Sequence, residues 1–162
     1  MQPQFRIRHA IVLILLLLCP IRADTAETKV EWRMASAFPG SALLLGTLGR
    51  NFAENATAIS GGSMKITFVE PNVLAAPFKL FDVVSRDKVE AAWATSAYWF
   101  EKDPAFALFS SVPFGPDASE FMAWMKHGGG GKLRDELYEP YGLVSIICGA
   151  MPELLPGIRT LT

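Results

Sequence analysis

Cysteine and histidine are scarce in this 162-residue chain, which holds two of each. Cys19 and His9 fall in an N-terminal leader, so Cys148 and His127 are what remain beyond it. One cysteine forms no internal disulfide, and one thiol with one imidazole builds no thiolate–imidazole metal site. A histidine-dependent triad would have to use His127, which stands beside "GGGG" (128–131) and reads as a solvated loop residue. No Gly-x-Ser-x-Gly elbow occurs to supply a nucleophile. The glycine run lacks the Lys-Ser/Thr pair of a phosphate loop and follows a helical pattern instead of a strand, so it reads as a flexible helix–helix connection. No catalytic residue, metal ligand or cofactor is expected, and the chain is not read as an enzyme. A strong charge of either sign is also missing. The formal net charge is −1, and the leader holds Arg6, Arg8 and Arg22 but no acid. The remainder is mildly acidic and has no electrostatic reason to seek nucleic acid.

Long apolar runs are absent except for "AIVLILLLLCP" (10–20), which is too short to span a bilayer comfortably. Behind Arg6, Arg8 and His9, and ahead of "IRADTAE", it has the layout of a secretory signal peptide occupying residues 1–23, with cleavage after Ala23. Cys19 is a poor lipidation site because bulky Leu18 precedes it. The rest is long enough for one core and therefore for one domain.

What is present is a regular alternation of patterns. "VEWRMAS" (30–36) has the period of a strand, with Val30, Trp32 and Met34 on one side. After the "FPGS" break, Ser41 is the expected N-cap of a helix whose stripe is Leu45, Leu48, Phe52, Ala56 and Ile59, and "SGG" (60–62) ends it. "MKITFVE" (64–70) is a second strand, Leu80, Phe81, Val83 and Val84 stripe a further helical segment, and "KVEAAWAT" (88–95) is a third strand. "DASEFMAWMKH" (117–127) carries a capping box between Asp117 and Glu120. "KLRDELYEPY" (132–141) is a last helix, and "GLVSIIC" (142–148) is the expected fourth strand. This order predicts an α/β domain with a mostly parallel sheet flanked by helices.

In such sheets, ligands bind outside the carboxyl ends of the strands. Those ends place Ser36, Phe38, Asn72, Thr95, Ser96 and Tyr98 on one rim. The segment "ATSAYWF" (94–100), with two hydroxyls running into three aromatics, suits a binding lip better than a plain turn. Trp99 is assigned to packing, because neighbouring side chains on an extended chain face opposite ways.

"EWRMASAFPGS", "FAENATAISGGSMKITFVEPNVL", "EKDPAFALFSSVPFG" and "FMAWMKHGGGGKLRDELYEPYGLV", in this order and spacing, resemble the first lobe of periplasmic solute-binding proteins of TRAP transporters, in the branch handling keto acids and related organic acids. The resemblance covers Lys29 to Val144. It implies an incomplete lobe of the type II periplasmic-binding-protein fold and a periplasmic location. It also implies a small organic-acid ligand, a keto acid or a dicarboxylate, TRAP permease subunits as membrane partners, and a monomer. By position it implies Phe38, Tyr98 and Phe114 as cleft residues, with Thr95 and Asn72 as polar candidates. The family's carboxylate-pairing arginine and its sodium-site residues lie in the second lobe, so no residue here inherits those roles. Residues 24–146 are therefore expected to form a first lobe with weakened binding, and residues 147–162 a divergent tail. The other readings are a small exported interaction protein, an inert fragment and an exported hydrolase.

The leader assignment has a direct check. N-terminal sequencing of the exported product is expected to begin at Asp24; a product retaining Met1 would refute a cleaved signal.

Overall fold

The computed structural model describes residues 29–110, 112 and 114–149, so the leader (1–23) and most of the tail lie outside the described residues. Three strands, β1 (Val30–Ser36), β2 (Met64–Val69) and β3 (Ala91–Trp93), form a parallel sheet in the order β2-β1-β3. The β1–β2 register pairs Val30 with Met64 through Ala35 with Val69, and Met34 to Ser36 of β1 pair with Ala91 to Trp93 of β3. The helices are α1 (Leu45–Ile59), α2 (Leu80–Val84), α3 (Ala118–His127) and α4 (Gly130–Tyr138), with 3-10 turns at Pro77–Lys79, Ser96–Trp99, Pro104–Phe109 and Glu139–Tyr141.

The period of β1 sorts its side chains onto two buried faces. Met34 joins Ala53 of α1 and Ile66 of β2 on one side, whereas Ala35 joins Leu80 of α2 and Val89 on the other. Helices thus cover both faces, which is why the parallel arrangement is stable. A third cluster holds Phe81, Trp99, Phe106 and Tyr138. Phe106 is fully buried and meets Tyr138 edge-on at 5.0 Å and Phe81 at 5.4 Å between ring centres. Such edge-to-face pairs add about 0.5–1.5 kcal/mol each beyond the area they bury.

Four local expectations change. Ser41 does not cap α1: the chain first turns through Ala42, whose N–H donates to the Pro39 carbonyl, and Leu44 precedes the helix with φ 66° and no side-chain cap. The buried stripe of α1 is Gly46, Gly49 and Ala53, not the large residues, and Ile59 is 86% exposed. Close approach to the sheet selects small residues, because a Cβ on Gly49 would lie 2.8 Å from the Trp93 indole. The "GGGG" run is a tight turn: Gly129 takes φ 88°, Gly130 and Gly131 open α4, and Gly128 and Gly130 press on Trp124. His127 accordingly closes α3 as an exposed residue. Finally, residues 142–148 join no ladder, and among the described residues the sheet has three strands with β2 and β3 at its edges. The capping box is as expected, with the Asp117 carboxylate accepting from Ser119 and Glu120 N–H, and Glu120 accepting from Asp117 N–H.

At the far end of the sheet, Arg33 of β1 grips Glu90 just before β3. Its guanidinium donates to both carboxylate oxygens at 2.7 and 2.9 Å and to the Lys88 carbonyl. The Arg33 side chain and its own N–H hold the Glu90 carboxyl at about 2, below the usual glutamate value of about 4.3. A depressed carboxylate stabilises the fold above the unfolded-state value, and that contribution fades as pH falls through the folded value. Glu90→Gln is therefore expected to lower the thermal midpoint near neutral pH. The gap to wild type should shrink below about pH 4.3 and close near about pH 2. Melts across that range check it, and a gap independent of pH would refute the pairing.

Candidate functional site

Three loops leave the carboxyl ends of the strands and converge. Phe38 follows β1, Phe78 lies on the path from β2 to α2, and Tyr98 follows β3. The Phe38 and Tyr98 ring centres are 5.9 Å apart, and Phe78 and Tyr98 are 4.7 Å apart. Tyr98 is the hub of this wall, meeting both rings. Phe38 and Tyr98 are half-buried, with their inner faces packed against the Ala35–Leu80 cluster, while Phe78 is 64% exposed.

Each element of the wall is held from beneath. Ser36 is almost completely buried, and its hydroxyl donates to the Phe38 carbonyl at 2.7 Å while accepting from the Phe38 N–H at 3.0 Å. The Ala37 N–H donates to the Trp93 carbonyl, extending the β1–β3 ladder to the edge of the site. Pro39 then rests on α1 so closely that a Cβ on Gly46 would fall 1.7 Å from its carbonyl oxygen. On the β3 side, Thr95 ends the extended chain and Ser96–Trp99 forms a 3-10 turn. This turn separates Tyr98, which faces the wall, from Trp99, which is 8% exposed inside the aromatic cluster. Trp99 does pack, as expected, but the cause is the turn and not strand alternation.

The structure brings together only part of the expected rim. Phe38 and Tyr98 touch. Thr95 lies at the base of the turn, and its hydroxyl is shared with that of Ser110. Ser36 and Ser96 point inward, Ser36 to its own loop and Ser96 toward the Tyr138 phenol. Burial pushes that phenol up, and the Ser145 and Ser96 hydroxyls act against the shift. Asn72 is exposed with φ 64° in the Glu70–Val73 turn. Phe114 is fully exposed with φ 59°, and no ring lies against it among the described residues. Phe78 was not anticipated. Its signal was its position: it precedes the apolar stripe of α2, so the core had no claim on it, and it follows Pro77 in a loop at a carboxyl end.

The wall offers aromatic faces and a hydroxyl but no nucleophile–base pair. Among the described residues, no three His, Cys, Asp or Glu side chains gather where a cation would sit.

Comparison with known proteins defines the class. Residues 35–147 match the family described as bacterial extracellular solute-binding protein, family 7, and the chain belongs to that family. It is a family of solute-binding proteins and not of enzymes. A monocarboxylate 2-oxoacid-binding periplasmic protein of a Nostoc species is 31% identical over 131 residues, which are 80% of this chain and 35% of that protein. A TRAP periplasmic solute-binding protein of Pseudoalteromonas atlantica, solved with bound sodium and pyruvate, is 32% identical with a TM-score of 0.67, over 70% of this chain and 35% of that one. A TRAP periplasmic solute-binding protein of Colwellia psychrerythraea, solved with bound calcium and pyruvate, is 28% identical with a TM-score of 0.64 over the same shares. The chain spans about a third of the length of these relatives.

The Asn72 turn generates a test. Pro71 and a left-handed Asn72 fit a turn that requires positive φ at its third residue. Asn72→Gly is expected to leave stability within a few tenths of a kcal/mol, and Asn72→Val to cost about 1–2 kcal/mol. Urea denaturation checks both, and equal losses would remove the backbone explanation.

Proposed function

We propose that residues 24–146 form the ligand-facing first lobe of a periplasmic receptor that presents small organic acids to a TRAP permease, and that the leader (1–23) directs its export. The ligand class is 2-oxo monocarboxylates, with pyruvate the simplest. The observation that carries the reading is the convergence of Phe38, Phe78 and Tyr98 at the carboxyl ends of three parallel strands. The pyruvate held by two structural neighbours and the 2-oxoacid binding for which the Nostoc relative is named support it.

The chemistry fits the class. A 2-oxo acid is small and flat, so its carbon frame lies against ring faces while its oxygens meet the positive ring edges and the Tyr98 hydroxyl. Thr95 and Asn72 are the further polar groups of this rim, and Phe114 belongs to its outer margin. A carboxylate is held most firmly by a bidentate guanidinium. No arginine forms part of this wall, so binding by this lobe alone is weak, on the order of millimolar.

A thermal melt of the exported chain with pyruvate and a panel of longer oxo acids tests the reading. A ligand that binds only the folded state raises the midpoint in a concentration-dependent way. The expected result is a rise with 2-oxo acids that is lost in Tyr98→Ala and reduced in Phe38→Ala, with little change from simple alcohols. A midpoint indifferent to every acid would refute binding by this lobe.

A further inference from the structure

Glu70 lies outside the aromatic wall, one residue beyond the end of β2, yet its carboxylate reaches back to the loop that carries Phe38. One oxygen accepts the Gly40 N–H at 2.8 Å, and the other accepts from Arg50 of α1 at 3.0 Å. Arg50 also lies over the Phe68 ring, 5.7 Å from its centre. Gly40 is buried, and a Cβ there would fall 2.0 Å from the Arg50 guanidinium and 2.8 Å from the Glu70 carboxylate. Glycine at this position is what lets the carboxylate meet the backbone.

We infer that Glu70 is a positioning residue for the ligand wall: by fixing Gly40 it holds Phe38 against Tyr98. Phe38 is then held on both sides. Ser36 fixes its own N–H and carbonyl, and Glu70 fixes the amide two residues later. Without the second anchor, the Phe38–Gly40 segment keeps the Ser36 hinge, the Ala42 N–H bond to the Pro39 carbonyl and its packing on Gly46 and the core, but loses the contact that fixes its far end, so the ring is held less firmly against Tyr98. A hydrogen bond from a backbone amide to an ionised carboxylate is among the stronger ones a protein makes. The Arg50–Glu70 pair is about half-exposed on both sides, so its own contribution to stability is small and its role is to aim the carboxylate. The link joins the ends of β1 and β2 through α1, so the wall is set by all three elements together. This inference deepens the receptor reading and rests on it for the claim that Phe38 meets ligand.

The test compares the full exported chain with Glu70→Ala, Glu70→Gln and Gly40→Ala. In the ligand-free protein, amide exchange at Gly40 and the ring contact between Phe38 and Tyr98 are read by NMR. Glu70→Ala is expected to speed Gly40 exchange at least about tenfold and to weaken the ring contact, with urea stability falling by less than that local loss. Glu70→Gln, whose amide oxygen still accepts the N–H, is expected to restore both. Gly40→Ala, which displaces the pair, is expected to behave like Glu70→Ala. With pyruvate, the apparent affinity is expected to fall about tenfold in Glu70→Ala and to recover in Glu70→Gln. Unchanged Gly40 exchange and ring contact in Glu70→Ala would overturn the inference, and so would a loss matched by an equal fall in global stability. If the wild-type chain binds no acid, the receptor reading fails, and the ligand-free measurements still decide the clamp.

Discussion

The close seat of α1 on the sheet is the constraint on which the rest of the structure depends. Gly46 admits the Pro39 backbone and Gly49 admits the Trp93 indole, whose N–H donates to the Leu45 carbonyl at 2.7 Å. The exits of β1 and β3 are therefore gauged against one helix. A larger side chain at either glycine would meet backbone or a ring system instead of a flexible tip. The loop carrying Phe38 takes its height above the sheet from this contact, and the Ser36 hydroxyl and Glu70 carboxylate then fix its direction.

Beneath the wall lies a stiff floor. Phe81, Trp99, Phe106 and Tyr138 interlock, and Tyr141 closes on Phe81 edge-on at 4.7 Å. Lys102 pairs with Asp82 at 2.6 Å and lies over the Phe81 ring, tying the turn after Tyr98 to α2. The Lys102 ammonium holds the Asp82 carboxyl below its ordinary range. Because Tyr98 and Trp99 are adjacent on one short turn, packing Trp99 into the floor also determines how Tyr98 is presented.

Membership of a solute-binding family gives this arrangement a use. A flat acid needs a surface to lie on and a charge to hold it, and these are separable requirements. In the proposed reading, Phe38, Phe78 and Tyr98 supply the surface. The described residues place no guanidinium on it: Arg33, Arg50 and Arg134 pair with Glu90, Glu70 and Asp135, and Arg86 is exposed in the turn between α2 and β3. On that same reading, this lobe contributes orientation and shape selection and leaves strong charge pairing out.

The sequence by itself determined three of the four expected strands, the order of the elements, the capping box at Asp117 and the family, because each is written in local pattern or in ordered words. Phe38 and Tyr98 were legible for the same reason: strand ends can be read from periodicity, and ligands collect where parallel strands end. What only the tertiary structure decided depends on contacts between distant segments. The small stripe of α1 prevailed over its large apolar stripe because the depth of helix–sheet approach is a pairwise property. Residues 142–148 have strand composition, but a strand needs a neighbour to bond with, and composition does not supply one. Phe78 joined the wall because a proline turn aimed it there. Ser36 and Ser96 turned inward, where their hydroxyls face the loop backbone and the Tyr138 phenol. Glu70 and Gly40, 30 residues apart, became partners only when α1 brought the two strand ends together, and no local pattern in the sequence encodes that distance.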